Sequence, residues 1–557
     1  MAYAIGVDFG TLSGRALLLD LDSGQEVAAV EVPYPHGVLD ERLPEGGHIL
    51  PPDWALQDPD DYLYVLEEAV PELLRRGRVT ADQVVGIGVD ATSCTVLPVL
   101  EDGTPLCRLP EFRKRPHAWP KLWKHHAAQP WATRLTEVAA DTGESFLSRY
   151  GGRISSEWYY PKLLEIFHDD PETYRTMRWF VEATDWIVWQ LTGQLMRNSC
   201  TAGYKALWDP QKGIPSLAYF TRVHPNFTHP GEKLGHTFYP VGTPAGTLSP
   251  TMARRLGLPT TVTVAVGNVD AHVSMVGAGV TEPGPMVMVI GTSICNLMIS
   301  SQDIRVPGIT GVIPDGILPG YYGYESGQAA VGDMYAWFVQ QAVPPSYVDQ
   351  AAQAGLNIYA YLERLAEPLR PGETGLIALD WWNGNRSILG DAELSGLLVG
   401  QTLSTKPEHI YRALLESTAF GTRRTIDNFV EHGVPVTEIV AVGGISHKSP
   451  LLMQIYADVT GLPVKVLDSS EIPARGSAVF AAVAAAGGDA GLVARLGRQL
   501  APPVRHTYRP RVSRHEAYNL LYRHYRTLYE FFGQTRQDIM HDLKAWRNRE
   551  QPANEEA

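Results

Sequence analysis

The 557-residue chain is too long for one hydrophobic core, so two large domains are expected. A composition of 44% hydrophobic and 19% charged residues is that of a folded globular protein, not a disordered one. A formal charge of −14 argues against nucleic acid or an anionic membrane as principal partner.

An apolar run, a short turn and a second apolar run (YAIGVDFG, TLSG, RALLLDL) predict an opening β-hairpin. Gly10, Thr11 and Ser13 lie at its turn, where free N–H groups and two hydroxyls can cradle an anion. Asp8, at the strand end, could hold a magnesium ion through water. Asp8-Phe9-Gly10 also spells the metal motif of protein kinases. Only seven residues precede it, and the chain contains no His-Arg-Asp, so that reading fails. A helix is predicted over 56–76, with Asp58 as cap and Pro59 in the first turn. Residues 84–103 (VVGIGVDATSCTVLPVLEDG) repeat the opening design of strand, small polar turn and strand. The basic and aromatic stretch 112–129 (FRKRPHAWPKLWKHHAAQ) predicts a helix with a solvated basic face and an apolar tryptophan side.

In the second half, TVAVGNVD places Asp270 at a strand end. MVMVIGTSICNLMIS (286–300) then repeats the hairpin, with Gly291, Thr292 and Ser293 at the turn. Residues 438–467 read strand, glycine turn, helix, strand, with Ser449 as helix cap and Gly461 and Pro463 past its end. Helices are predicted over 408–430 and 514–535, the latter amphipathic with packed aromatics, and the tail 551–557 is expected to be disordered. Two halves that each open on an anion-binding hairpin suggest duplicated α/β domains facing a cleft. The expected division is 1–258 and 259–557.

Several chemistries are excluded. No Gly-Lys dipeptide occurs, so there is no Walker A loop, and no G-x-G-x-x-G follows the first strand. His515-Glu516 starts like a zincin helix, but Asn519 stands where the second histidine belongs. Cys94, Cys107, Cys200 and Cys295 form no C-x-x-C pair, which points to free thiols and a reducing, cytoplasmic setting. The start MAYAIGVDFG has no basic n-region, and GSAVFAAVAAAGG is too short to span a membrane.

In order along the chain, DFGTLSGR, GNVDAH, GTS, LLESTAF and GGIS resemble the FGGY carbohydrate kinases. A family signature appears as GLLVGQTLSTKPEHIYRALLE (396–416), with Gln401 where an aliphatic residue is usual. RPHAWPKLWKHHAAQ, VDATSCTVLPV, GYKALW, GYESGQAAVGD and GGISHKSPLLMQIYADVTG are most similar to its bacterial L-ribulokinase branch. The resemblance implies two actin/Hsp70/sugar-kinase-like (ribonuclease H-like) domains around a central cleft, with ATP as co-substrate and Mg2+.

It further implies that Asp270 is the general base, ionised at neutral pH if its pKa is the ordinary value of about 4. Ser93, Lys205 and Glu325 join Asp270 as sugar contacts. Gly10, Thr11, Ser13, Arg15, Gly291, Thr292, Ser293, Gly332, Gly443, Gly444 and Lys448 would hold the nucleotide. The implied reaction makes L-ribulose 5-phosphate in L-arabinose breakdown, with a homodimer as the family's usual assembly. D-ribulose, xylulose or ribitol as acceptor, a catalytically silent sugar sensor, and an actin- or Hsp70-like ATPase stay open as alternatives.

Overall fold

A computed structural model describes residues 2–44 and 49–548. Its frame is two mixed sheets. The first contains β1 (Tyr3–Phe9), β2 (Ser13–Asp20), β3 (Glu26–Pro33), β4 (Val84–Ala91), β5 (Pro244–Thr247), β6 (Thr263–Ala265) and β7 (Asn268–Val269). Their order is β3-β2-β1-β4-β6-β5, with β7 also paired to β4. The second contains β8 (Pro285–Ile290), β9 (Ile294–Ser300), β10 (Gly311–Pro314), β11 (Tyr322–Gln328), β12 (Glu438–Val442), β13 (Val464–Leu467) and β14 (Val504–Tyr508). Their order is β10-β11-β9-β8-β12-β13-β14.

Duplication is visible in the strand senses. Along β3-β2-β1-β4-β6-β5 the pairings run antiparallel, antiparallel, parallel, parallel, antiparallel. Along β11-β9-β8-β12-β13-β14 the sequence of senses is the same. Each unit therefore sets a tight hairpin beside the parallel strand that follows it, and each hairpin turn lies at the same corner of its sheet.

The first sheet runs on past residue 258, because β6 and β7 both pair with β4. The sheets therefore part between Gly277, where the helix after β7 ends, and Pro285, rather than at 258. The chain then returns: helix Ile472–Ala485, from the later half, packs on β1 and β4. Small residues make that contact possible. A methyl group added at Gly6 would sit 1.7 Å from the Ala474 carbonyl oxygen, and one at Gly88 would sit 2.1 Å from that of Ser477. The alanine-rich stretch covers a sheet, and among the described residues no helix is long and apolar enough to cross a membrane.

Most local expectations match the elements formed. Helix Pro59–Gly77 is capped by Asp58, whose side chain accepts from the Asp60 N–H. Helix Pro450–Thr460 is capped by Ser449 and ends on Gly461 at φ 74°. Helices Pro407–Glu431 and Val512–Glu530 lie where the periodicity placed them, and the latter buries Tyr518, Tyr522, Tyr525 and Tyr529. Two expectations fail. Residues 84–103 form no hairpin: Val96–Val99 pairs with Trp179–Glu182, while β4 joins the central sheet. The 112–129 stretch forms only a short 3-10 turn, Pro116–Ala118, before the helix beginning at Gln129. Its Lys121 and His125 are fully buried against Glu165, and Lys121 Nζ lies 4.2 Å from the Trp54 ring. Lys121 and His125 are thus paired inside the fold rather than solvated on a helix face, while Arg113 and Lys114 remain exposed. The expected disorder of 551–557 falls outside the described residues.

Candidate active site

Register aligns a row of polar side chains across the first sheet. Asp8 on β1 faces Arg15 on β2 and Asp90 on β4; Arg15 faces Glu31 on β3, and Asp90 faces Asn268 on β7. Residues directly opposite one another share a face, so one row reads Glu31, Arg15, Asp8, Asp90, Asn268. Asp270 follows β7 at once, as the first residue of helix Asp270–Gly277. Three carboxyl groups thus meet at one end of the sheet, in surroundings that disfavour charge. Burial raises Asp8 to about 6, partly offset by its hydrogen bond with Asp90 and the nearby Arg15 charge. Burial and the Asp8 charge push Asp90 well above the carboxylate range, although Ser477 Oγ donates to Asp90 Oδ2 at 2.5 Å. Burial, then Asp8, raises Asp270 to about 7, against the donation of the Ala271 N–H to its Oδ1 at 2.6 Å. Asp270 therefore does not keep the ordinary value of about 4 that its sequence context implied; it titrates near neutrality, where a general base works best.

The first hairpin turn borders this row. Its Gly10 N–H closes on the Ser13 carbonyl at 3.0 Å. Trp123 Nε1 donates to Thr11 Oγ1 at 3.1 Å, and Gln57 Nε2 donates to the Thr11 carbonyl at 2.9 Å. The Thr11 oxygen is thereby fixed as an acceptor while its hydroxyl proton stays available to a ligand. Ser13 behaves differently: its hydroxyl donates to Glu31 Oε1 at 2.8 Å. Arg15 pairs with the same oxygen at 3.2 Å while also feeling the Asp8 charge.

Opposite it, three glycine turns converge at the end of β8. The Gly291 N–H closes on the Ser293 carbonyl at 2.9 Å, and the Thr292 carbonyl accepts from Val331 at 2.8 Å and Asp333 at 3.3 Å. Gly332 abuts the hairpin, where a methyl group would lie 2.6 Å from the Gly291 oxygen. Gly443 has φ 95°, and a methyl group there would lie 2.4 Å from the Ile290 oxygen, so only glycine fits. Gly291 and Gly444 face open space, with nothing within 4 Å of an added methyl group. Lys448 is exposed at the end of the short helix Gly444–Lys448. Backbone can approach a ligand closely at Gly291 and Gly444, while Gly332 and Gly443 pack against the hairpin.

Between the two sheets lies a buried polar chain. Lys205, the last residue of helix Ser199–Lys205, donates through Nζ to Glu325 Oε1 at 2.9 Å and Oε2 at 3.0 Å. His272 Nε2 lies 2.9 Å from Glu325 Oε2, and its Nδ1 lies 3.0 Å from Cys200 Sγ. Burial, with Lys205 adding to it, lowers the His272 pKa, so the ring is neutral: Nε2–H donates to Glu325 and Nδ1 accepts from the thiol. Burial alone would raise Glu325, but Lys205 and His272 hold it far below the carboxylate range. Glu325 in turn lifts Lys205 above its usual value against burial. The pair is a charged one, and it joins the two sheets. Ser93 lies in the loop that ends β4, half-buried; its neighbour Cys94 (φ 63°) feels the Lys205 charge and accepts Lys162 Nζ on its carbonyl at 2.6 Å.

A carboxylate titrating near neutrality, two glycine-bearing turns and a buried charged pair fit phosphoryl transfer to a hydroxyl. The model of the FGGY family of carbohydrate kinases, N-terminal domain, matches residues 3–277, and that of its C-terminal domain matches 286–485. The chain belongs to the FGGY carbohydrate kinases. It is 52% identical over 549 residues to a ribulokinase of Anoxybacillus flavithermus, covering 98% of this chain and 97% of the relative. It is 51% identical over 557 residues to a ribulokinase of Geobacillus thermodenitrificans, covering 99% and 98%. The fold is that of a xylulose kinase from Rhodospirillum rubrum, with TM-score 0.75 at 24% identity over 97% and 100% of the two chains. A glycerol kinase of Plasmodium falciparum, solved with ADP, overlays with TM-score 0.73 at 16% identity over 94% and 97%. As an FGGY carbohydrate kinase the enzyme takes ATP as co-substrate.

Three residues of this candidate site escaped sequence reading. Asp90 could have been found, because GVD at 6–8, GVD at 88–90 and NVD at 268–270 each end an apolar run on aspartate. His272 sits two residues past Asp270, yet its bond to Glu325 spans 53 residues of sequence. Trp123 reaches Thr11 across 112 residues, and nothing local announces that contact.

Proposed function

We propose that this kinase transfers the γ-phosphoryl group of ATP to the terminal hydroxyl of L-ribulose, giving L-ribulose 5-phosphate in L-arabinose breakdown. The observation that carries the acceptor is the identity of about half the residues, over nearly the whole of both chains, with proteins named ribulokinase.

Acceptor binding belongs to the cleft side of the first unit and to Glu325, and nucleotide binding to the second unit. Lys205 and Glu325 offer donors and acceptors to the sugar hydroxyls, and Ser93 shapes the pocket wall. Thr11 and the Gly291-Thr292-Ser293 turn grip the phosphates from opposite sides, with Arg15 offsetting charge once drawn from Glu31. Ser13 supports the first turn through Glu31. Gly332, Gly443 and Gly444 leave room for the nucleotide, and Lys448 stands at its edge.

Asp270 accepts the proton of the attacking hydroxyl. As the new O–P bond forms, the bond from the γ-phosphorus to the bridging oxygen breaks, and ADP leaves with that electron pair. Asp8 and Asp90 are hard oxygen donors with raised pKa values, a donor set that suits a divalent cation. Among the described residues no cluster of three His, Cys, Asp or Glu is placed to ligate a metal directly, so these carboxylates would hold Mg2+ through water. When bound, Mg2+ supplies neutralisation of phosphate charge. Family analogy adds a cytoplasmic homodimer.

An ADP-release assay across L-ribulose, D-ribulose, D-xylulose, ribitol and glycerol tests this. L-ribulose should give the highest kcat/KM; equal rates on glycerol, or ATP turnover indifferent to sugar, would defeat it.

A further inference from the structure

We infer that Glu157 and Arg386 form a second sugar-recognising pair, which meets the acceptor away from its reacting hydroxyl and sets which ketose is preferred. The inference rests on the acceptor pocket proposed above. Glu157 comes from the first unit, just ahead of helix Tyr159–Asp169, and its N–H is held by Ser155 Oγ at 3.2 Å. Arg386 comes from the second unit, on a loop pinned at both ends. Ser387 exchanges two hydrogen bonds with Gly327, at 3.1 and 3.2 Å, two residues from Glu325. On the far side the Gly390 carbonyl accepts from Arg153 Nη1 at 2.6 Å, on the same segment as Glu157. The loop therefore spans from the strand that carries Glu325 to the segment that carries Glu157.

Arg386 Nη2 and Glu157 Oε1 stand 3.6 Å apart, with side chains 28% and 19% exposed. That is an ion pair but not a hydrogen bond, so carboxylate and guanidinium both keep capacity for a ligand. Their surroundings place them at the acceptor pocket. Lys205 and His126 feel the Glu157 charge; Cys295 feels Arg386 together with Glu325, Lys205 and Asp270. A carboxylate beside a guanidinium offers two acceptors and several donors, which suits adjacent hydroxyl and carbonyl groups of a ketose. An acceptor with one hydroxyl inverted would leave a partly buried charge without its partner, and such mismatches discriminate strongly.

The test compares Arg386→Gln and Glu157→Gln, with Arg386→Lys and Glu157→Asp as conservative partners, on L-ribulose, D-ribulose and ribitol. The ATP-induced rise in Tm reports an intact nucleotide side. The glutamine variants should lose about 10- to 100-fold in kcat/KM for L-ribulose, mainly through KM. Their preference for L-ribulose over the other acceptors should fall about 10-fold, while KM for ATP stays within about twofold and the conservative variants recover part of the loss. A preference ratio unchanged in every variant would overturn the assignment. So would a parallel loss on all sugars and on ATP, the pattern of a mere brace between the units. A native enzyme that fails on L-ribulose would instead overturn the function on which this rests.

Discussion

Asp270→Asn should make the ligand-free protein more stable and the enzyme nearly inactive. A carboxyl whose pKa rises from 3.8 to about 7 on folding binds its proton more tightly in the native state. Stability therefore falls as pH rises from about 4 to about 7, and above 7 the full penalty is present. At about 1.4 kcal/mol per pKa unit the penalty is at most about 4 kcal/mol. Asp270 is half-buried at the cleft, so water screens part of it, leaving a gain of about 1–3 kcal/mol for the neutral amide. For units of this size that corresponds to roughly 2–6 °C in Tm. Asparagine keeps an oxygen for the Ala271 N–H, so the helix start is preserved. Thermal melts without ligand at pH 8 and pH 5 measure the effect, which should be larger at pH 8. Activity should fall about 10²- to 10⁴-fold, the usual weight of a general base, equivalent to about 3–5 kcal/mol of barrier. In the native enzyme kcat/KM for the sugar should decline below about pH 7 as Asp270 protonates. An Asp270→Asn protein no more stable than native at pH 8 would refute the electrostatic argument, and a fully active one would refute the base.

Lys205→Met removes the cation that holds Glu325 ionised in a buried site. It should destabilise by about 3–5 kcal/mol in denaturant titrations and raise KM for the sugar more than KM for ATP. Gly443→Ala forces a side chain into φ 95° and against the Ile290 carbonyl, which should lower stability by about 1–3 kcal/mol and weaken ATP binding measured by calorimetry. EDTA should abolish ADP release, and Mg2+ or Mn2+ should restore it; turnover undiminished in EDTA would remove the metal from the Asp8 and Asp90 site.

The fold was legible where its signals are local. The two hairpins, the capped helices at Pro59 and Pro450 and the strand leading to Asp270 each carry their own periodicity and punctuation. Where pairing is remote, the same signals mislead. VVGIGVDA and VLPV read as a hairpin because both are apolar runs around a polar turn, yet each finds a partner elsewhere in the chain. The 112–129 stretch shows the limit most clearly: Lys121 and His125 look solvated until Glu165, 44 residues beyond Lys121, supplies the buried counter-charge. The division between the units escaped for a similar reason, since β6 and β7 lie after a plausible linker but pair back to β4. Among the candidate site residues, context singled out Asp8 and Asp270, but the raised pKa values depend on burial and, for Asp270, on the Asp8 charge, which only the fold brings near.

The charge pattern of the cleft carries a functional logic. The first sheet ends in Asp8, Asp90 and Asp270, all pushed toward protonation by burial, with the Asp8 charge adding to the shift of the other two. The other charged cluster, Glu325 with Lys205 and His272, is fully compensated and holds its ionisation firmly. One cluster is thus poised and the other fixed. A sugar needs fixed donors and acceptors, because a pocket that changed charge near neutral pH would lose its selectivity there. Cation and proton handling need the opposite, groups whose affinity for positive charge is held high until a ligand supplies it. Under the proposed function the folded chain separates the two demands in space: the row across β1, β4 and β7 would take positive charge, and the chain from Cys200 to Lys205 would recognise hydroxyls. Asp270 and His272, two residues apart at the start of one helix, join the clusters, so under the proposed function a displacement of that helix would disturb proton transfer and sugar recognition together.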